Sequence, residues 1–255
     1  MISQKRIEEL RRELIKAQAE IAEALKSEKS RKRADLNRKA HTLRQMITPA
    51  YAFMSQAGQD AVVDRYFNHM NGGTFIDIGG YDGVTGSNTV FFEKWRGWTG
   101  ALVEPVPANL TRAEAARACP CLGYAVSDEA GTASFINVTE GFTQMSGLAD
   151  RYDAKMLQQV RDNPRHKETT IEVTTKTMVD ILNEVNIEHP DFISLDIEGG
   201  ELAALQAFPF AEHQVGIWAI ENNTGTREIA DLMRGHKYDL IDFCGPDEIY
   251  ALRKA

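Results

Sequence analysis

Two acidic side chains in the first half of the chain stand where apolar runs end, a position at which ligands are commonly bound. Asp77 lies in the run TFIDI just before a glycine-rich loop, residues 79–83, and Glu104 ends the run GALVE. Runs of this length are typical of buried strands, and glycines after a strand let the backbone approach a ligand closely. The two carboxylates favour a ligand that carries an ammonium group and a ribose-like pair of hydroxyls.

The glycine-rich loop does not fit the common phosphate-binding patterns. Its sequence, DIGGYDG, has neither the GxGxxG spacing of dinucleotide sites nor the GxxxxGK[ST] pattern with its lysine. Gly79, Gly80 and Gly83 are therefore predicted to bind a ligand without a phosphate. Ser127 and Asp128 end the next apolar run, CLGYAV, and by position they are predicted to border the far end of that ligand.

A second group of oxygen-bearing side chains follows two later apolar runs. Asp196 ends DFISLD, and Glu221 and Asn222 end VGIWAIEN. Because the carboxyl ends of neighbouring parallel strands meet at one edge of a sheet, these three side chains could bind Mg²⁺ or Mn²⁺ and activate a substrate hydroxyl. Two alternatives stay open: Asp196 is a general base without a metal, or Asp196 and Glu198 cap the next helix.

The order of the segments indicates how these residues are positioned. Apolar runs alternate with amphipathic segments from residue 51 to residue 255, which predicts an α/β catalytic domain with a mostly parallel sheet. Residues 139–167 interrupt this order with little strand pattern. They are predicted to form a lid or substrate loop or, equally, an ordinary surface excursion.

Residues 1–50 differ in character from the rest. They carry 13 Lys/Arg and 7 Asp/Glu, a net charge of +6, whereas residues 51–255 carry 16 and 30, a net charge of −14. Apolar residues at spacings of three and four predict a helix through most of residues 3–45. Three roles stay open for it: a solvated helix, a coiled-coil arm that forms a homo-oligomer, or a basic surface for anionic lipid or glycan.

Composition and missing motifs narrow the function. An acidic body argues against nucleic acid as the substrate, and neither an apolar leader nor an apolar run of membrane-spanning length occurs, so we expect a cytoplasmic protein. Cys119, Cys121 and Cys244 lack metal-ligand spacing and are expected to be reduced. The GxSxG and kinase signatures are absent, which leaves hydrolase and phosphotransferase interpretations unsupported.

The segments FIDIGGYDGVTGSNTVFFEKW, LVEP, YAVSD and SLDIEGGE resemble the successive motifs of the FkbM family of methyltransferases, over about residues 55–253. The resemblance implies a Rossmann-like class I methyltransferase fold with a mostly parallel seven-stranded sheet behind an N-terminal helical extension. It also implies S-adenosylmethionine as methyl donor and, as acceptor, a hydroxyl of a sugar, glycan or natural product.

The resemblance assigns roles to individual residues. It implies that the methionine half contacts Asp77, Gly79 and Gly83, the ribose Glu104, the adenine Ser127 and Asp128, and the reacting centre Asp196. The predicted metal group is similar to that of metal-dependent O-methyltransferases of the catechol and macrolide-sugar types. Two rival functions are weighed against this one: a non-catalytic ligand-binding scaffold with an oligomerisation arm, and a nicotinamide-dependent oxidoreductase, which the dinucleotide-loop pattern does not support.

Overall fold

The alternation of apolar runs and amphipathic segments produces an alternation of strands and helices. A computed structural model describes residues 3–254. The helices are α1 Gln4–Ser27, α2 Arg33–Ile47, α3 Gln59–Tyr66, α4 Val90–Arg96, α5 Pro107–Ala116, α6 Ala154–Arg161, α7 Met178–Val185, α8 Glu201–Gln206 and α9 Glu228–Gly235. The strands are β1 Thr74–Ile78, β2 Thr99–Val103, β3 Cys121–Leu122, β4 Ala125–Val126, β5 Gly131–Glu140, β6 Gly147–Leu148, β7 Lys167–Lys176, β8 Phe192–Leu195, β9 Ile217–Glu221, β10 Tyr238–Cys244 and β11 Asp247–Leu252.

The main sheet has seven strands in the order β10-β11-β9-β8-β1-β2-β3. Neighbouring strands are parallel except β11, which is antiparallel to both β9 and β10. The central strands are buried on both faces, as continuous apolar runs predict for a parallel sheet. The predicted Rossmann-like α/β fold with a mostly parallel seven-stranded sheet is therefore confirmed.

Packing on the two faces of the main sheet provides the core. Alternate residues of each strand point to opposite faces, so Ile76 and Ile193 lie in one apolar cluster while Phe75 and Phe192 lie in the other. All four side chains are at most 1% exposed, and burying each contributes about 1.5–3 kcal/mol. These strands thus form a rigid support for the loops at their carboxyl ends.

A second sheet, in the order β4-β7-β5-β6, stands beside the main one. The prediction of little strand pattern in residues 139–167 agrees with the structure: between the ends of β5 and β7 this stretch contains only the two-residue β6 and the helix α6. The run CLGYAV also divides between the sheets, since β3 pairs with β2 and β4 pairs with β7. Ser127 and Asp128 consequently follow a strand of the second sheet.

The N-terminal segment forms a pair of helices with a break at residues 28–32, so one helix does not run through residues 3–45. Helix α1 has no buried residue, whereas α2 packs against β10 and buries Ala40 and His41. Arg33 forms an ion pair with Asp242 at 2.7 Å, and Asn37 donates a hydrogen bond to the carbonyl of Phe243 at 2.8 Å. Helix α2 therefore packs on the catalytic body, on the N-terminal side of the predicted boundary at residue 50. No helix within residues 3–254 is long and apolar enough to cross a membrane.

Candidate active site

The carboxyl ends of β1, β2, β8 and β9 surround a cavity of about 520 Å³. Further walls come from the turn between β10 and β11, from α2, and from residues 141–146 of the second sheet. Open α/β sheets bind ligands in this position, outside the carboxyl ends of the strands. The cavity is therefore the candidate active site.

Asp77, on β1, is held on one side and open on the other. Its Oδ2 accepts hydrogen bonds from Thr89 at 2.5 Å and Ser87 at 3.2 Å, and it lies 3.4 Å from Nη1 of Arg117. The Arg117 side chain is fully buried and also pairs with Glu93 at 3.0 Å. Within residues 3–254 no hydrogen bond reaches Oδ1 of Asp77, which leaves this oxygen for a ligand in the cavity.

The glycine-rich loop touches the end of β8. Gly79 has a φ of +81°, and a Cβ there would lie 1.7 Å from the carbonyl oxygen of Asp196. A Cβ on Gly80 would lie 2.3 Å from the Leu102 side chain. Both glycines line the cavity, but Gly83 does not; its carbonyl accepts a hydrogen bond from Arg117 at 3.2 Å. Gly83 therefore shapes the loop, and the prediction that it contacts the ligand lacks support.

Glu104, after β2, lines the cavity with its carboxylate fixed by the chain around it. The Tyr81 amide donates to Oε2 at 3.1 Å, while the Val106 amide at 2.9 Å and Asn109 at 3.2 Å donate to Oε1. Burial raises the pKa of Glu104 to about 7. The carboxylate is preorganised, and Oε2 keeps a lone pair for a ligand hydroxyl.

Ser127 and Asp128 do not line the cavity, contrary to the prediction. The Ser127 amide bonds to the Lys176 carbonyl, and Asp128 forms an ion pair with Arg151 at 2.9 Å. Residues 124–126 line the cavity instead. The physical reason is the division of CLGYAV between two sheets, which directs the residues after β4 away from the cavity.

Three carboxylates meet beside the glycine-rich loop. One oxygen from each of Asp196, Glu198 and Glu221 lies within 4.8 Å of the others, and we call this group the carboxylate cluster. Glu198 joins it with a left-handed backbone, φ +58°. That turn is fixed by Glu201, whose carboxylate accepts hydrogen bonds from the amides of Ile197 at 2.9 Å and Gly199 at 3.1 Å. Glu201 bonds the amides before α8, so the capping alternative for Asp196 and Glu198 loses its basis.

The carboxylate cluster is electrostatically incomplete. Burial, with repulsion from Asp247 and Glu201, raises the pKa of Asp196 to about 8. Burial and the neighbouring carboxylates raise the pKa values of Glu198 and Glu221 as well. Oε2 of Glu221 is buried and has no hydrogen-bond partner among the described residues. Crowded carboxylates with an unsatisfied oxygen are suited to a proton or a hard cation.

Asn222 does not belong to the cluster, although it was predicted as a metal ligand. Its Nδ2 donates to the Thr226 carbonyl at 3.0 Å and to Glu248 at 3.1 Å, and its Oδ1 accepts from the Gly225 amide at 2.9 Å. Successive residues of an extended chain face opposite ways, so Asn222 points away when Glu221 points in. Asn223 lines the cavity in its place and donates to Glu198 at 3.4 Å.

The sequence interpretation missed three charged residues of the cavity wall. Glu198 was considered only as a helix cap, and Asp247 and Arg38 were not considered. Gln59 at 3.0 Å and Asn88 at 3.3 Å hold Asp247 in place. Glu198 could have been predicted as a site residue, because it is an acidic residue three positions after the end of β8. Asp247 and Arg38 reach the cavity only through tertiary packing, which the sequence pattern does not show.

The strand order, with its cavity at the carboxyl ends of the parallel strands, is that of the class I methyltransferase fold. Residues 77–240 match the family described as Methyltransferase FkbM domain, which is more than half of the chain, and the chain belongs to this family. Family membership supports S-adenosylmethionine-dependent methyl transfer. The residues present suit that donor, because the open oxygen of Asp77, the fixed carboxylate of Glu104 and the side-chain-free Gly79 and Gly80 all line the same cavity.

Solved structures with a related fold are distant from this chain. The FkbM methyltransferase of Methylobacillus flagellatus is 15% identical with a TM-score of 0.45, over 93% of this chain and 58% of that one. A TehB-like methyltransferase of Corynebacterium glutamicum is 11% identical with a TM-score of 0.40, over 77% and 88%. A Pyrococcus furiosus methyltransferase is 11% identical with a TM-score of 0.38, over 86% and 99%. This chain thus spans little more than half of the first of these. No curated protein matches it.

Proposed function

We propose that this chain transfers the methyl group of S-adenosylmethionine to a hydroxyl oxygen of a sugar, glycan or natural product. In this proposal a divalent cation, Mg²⁺ or Mn²⁺, is bound by Asp196, Glu198 and Glu221. The observation that carries the proposal is the carboxylate cluster beside the glycine-rich loop, with a buried Glu221 oxygen that has no partner among residues 3–254.

The donor is positioned by the ends of β1 and β2. Asp77 would accept a hydrogen bond from the ammonium group of the methionine half through its open Oδ1, and Glu104 would accept one from a ribose hydroxyl through Oε2. Gly79 and Gly80 would lie against the donor, because neither has a side chain that would fill the cavity. Holding donor and acceptor in near-attack geometry can supply about 7–11 kcal/mol of the barrier.

The acceptor hydroxyl would lie at the carboxylate cluster. A bound divalent cation lowers the pKa of a hydroxyl that it coordinates. Asp196 would take the hydroxyl proton on a carboxylate oxygen, because it belongs to the cluster and its main-chain carbonyl lies against Gly79 of the donor loop. The methyl group would then pass in line from the sulfonium sulfur to the oxygen.

The first test is calorimetric titration of the full chain with S-adenosylhomocysteine, with and without Mn²⁺, and with NAD as the control. Micromolar binding of S-adenosylhomocysteine without NAD binding is expected, and it would exclude the oxidoreductase alternative. Methyl transfer to hydroxyl compounds then separates an enzyme from a non-catalytic scaffold. Absence of S-adenosylhomocysteine binding in both metal conditions would overturn the proposal.

A matched titration tests the metal. Mn²⁺ is expected to bind the wild-type chain and to bind Glu221→Gln at least about tenfold more weakly, because an amide replaces a charged ligand. Glu129→Gln is the control, since Glu129 is an exposed carboxylate outside the carboxylate cluster. Equal Mn²⁺ affinity in wild type and Glu221→Gln would remove the metal from the proposal and leave the methyl transfer itself in place.

A further inference from the structure

The basic residues of the N-terminal segment fall into two groups. Six of the thirteen form ion pairs, either with the body or along the helix: Arg6, Lys16, Lys26, Arg31, Arg33 and Lys39. Arg31 forms an ion pair with Glu248 at 2.7 Å, Arg33 pairs with Asp242, and the others include Lys39, which pairs with Asp35 at 2.6 Å. Arg31 and Arg33 therefore attach the N-terminal segment to acidic residues of β11 and β10.

Arg38 is different. It lines the cavity, yet its guanidinium donates no hydrogen bond and forms no ion pair within the described residues. The guanidinium lies over Gly245 in the turn between β10 and β11, where a Cβ would come within 2.9 Å of Nη2. Among residues 3–254, no other Lys, Arg or His lines the cavity. Arg38 is exposed, so it places one cation at the solvent-facing part of the cavity wall, over a turn whose glycine leaves space for it.

The surroundings of Arg38 make its presence informative. The carboxylates that line the cavity are Asp77, Glu104, Asp196, Glu198, Glu221 and Asp247. Burial raises the pKa of Asp247 to about 6, although hydrogen bonds from Gln59 and Asn88 and the charge of Arg38 oppose that effect. Gln59 and Asn88 supply the hydrogen bonds of Asp247. The donors of the exposed Arg38 guanidinium therefore face solvent and are accessible to a ligand.

We propose that Arg38 binds an anionic group, a carboxylate or a phosphate, on the methyl acceptor. This inference rests on the proposed function and narrows its substrate class to acidic sugars and phosphorylated hydroxyl compounds. An acidic cavity repels an anion, so an anionic acceptor needs a fixed positive charge, and a guanidinium matches carboxylate and phosphate through paired hydrogen bonds. A neutral polyol would not require a lone cation here.

The proposal gives α2 a functional role. The carboxylate cluster would receive the reacting hydroxyl, and Arg38 would hold the charged group of the same molecule. Gln56 stands beside this path, exposed and without a hydrogen-bond partner among the described residues. Arg38 would then determine specificity, and the N-terminal segment would complete the acceptor site.

The test measures the reactivity of Arg38 in the full chain. The protein is first saturated with S-adenosylhomocysteine and Mn²⁺, then treated with phenylglyoxal, and the modified arginines are followed by peptide mass spectrometry. Glucuronate, glucose 6-phosphate and glucose are added in separate arms. Arg11, exposed on α1 and without a partner among residues 3–254, is the control for general reactivity.

We expect one or both anions to slow modification of Arg38 about tenfold, which corresponds to a hydrogen bond to a charged group, while glucose has no effect. Protection by one anion only identifies carboxylate or phosphate as the source. Arg11 should react at the same rate in every arm. Unchanged Arg38 reactivity in both anion arms, in protein that binds S-adenosylhomocysteine, overturns this proposal and leaves the proposed function standing.

Turnover of the protecting compound gives a second measurement. Arg38→Ala should raise its KM about tenfold with little change in kcat, and Arg38→Lys should restore part of the affinity because the charge returns without the paired geometry. A fall in kcat at unchanged KM would contradict a binding role.

Discussion

The two ends of the cavity differ in how their carboxylates are satisfied. At the donor end, Asp77 and Glu104 each receive several hydrogen bonds from the chain, and Arg117 compensates the charge of Asp77. At the acceptor end, the carboxylate cluster crowds three acids together and leaves one buried oxygen unpaired. The carboxylates at the proposed donor end are therefore satisfied by the folded chain itself, whereas those at the proposed acceptor end need protons, a cation or a ligand to balance them.

The largest effect is expected at the acceptor end. Asp196→Ala should lower kcat by about 10²–10⁴, because it removes the residue that takes the proton, while S-adenosylhomocysteine affinity stays nearly unchanged. Radiolabelled methyl transfer and calorimetry measure the two quantities. Asp231→Ala, at the surface of α9, is the control for a lost carboxylate. Parallel losses of turnover and of affinity would contradict the separation of the two ends.

At the donor end, Gly79→Val should weaken S-adenosylhomocysteine binding about 100-fold, because a Cβ 1.7 Å from the Asp196 carbonyl forces the loop to move. Gly97→Val is the matched control, since Gly97 also has a positive φ, +62°, but nothing lies near its Cβ position. Circular dichroism must show that both variants fold. Normal affinity in a folded Gly79→Val would mean that the loop does not hold the donor.

A smaller loss is expected for Glu104→Gln. The amide keeps the size of the side chain but replaces one acceptor oxygen by a donor, so S-adenosylhomocysteine affinity should fall about tenfold. Calorimetry of the variant against wild type measures this, with Glu129→Gln at the surface as the control. An unchanged affinity would show that Glu104 only holds its own loop through Tyr81 and Val106.

The cluster also predicts how stability depends on pH. The folded-state pKa of Asp196 is raised, so its folded state binds more protons, and stability is present at acid pH and lost as pH rises toward about 8. The melting temperature of the metal-free chain should therefore fall between pH 6 and pH 8.5. A loss of about 1 kcal/mol in the free energy of unfolding lowers the melting temperature by a few degrees. Mn²⁺ should restore it at the higher pH.

Glu221→Gln separates the cluster from other buried acids, since Asp60, Glu104 and Asp247 also have raised pKa values and act in the same direction. Differential scanning fluorimetry should show a flatter pH dependence for this variant and a smaller response to Mn²⁺. Identical profiles for wild type and variant would mean that the cluster does not control the titration.

The smallest catalytic effect is expected outside the cavity, in α1. We propose that α1 joins two copies of the chain, because its apolar residues Ile7 and Leu10 are 50% and 39% exposed. Helix α1 has 24 residues and α2 has 15, so part of α1 extends beyond α2. Leu10→Lys with Leu14→Lys should halve the native mass in light scattering and leave kcat unchanged. Arg11→Lys with Glu13→Asp is the control. An unchanged mass in the Lys variant would end this proposal.

Much of the site could be predicted from the sequence, because its residues follow strands that are readable as apolar runs. Asp77, Glu104, Asp196 and Glu221 all line the cavity as their positions predicted. The prediction of Asn222 as a metal ligand was wrong, because neighbouring side chains of an extended chain point in opposite directions. Arg38 could not be predicted, since α2 reaches the cavity by packing on strands about two hundred residues further along.

The attachment of α2 has a consequence for any shortened form of the chain. β10 is the edge strand of the main sheet, and α2 occupies part of its border, with Asn37 bonded to the Phe243 carbonyl and the Ala34 carbonyl accepting from the Gly245 amide. A chain that begins near residue 50 would leave these backbone groups free to recruit a strand from another molecule. Such a truncation is expected to aggregate even though every strand of the sheet is retained.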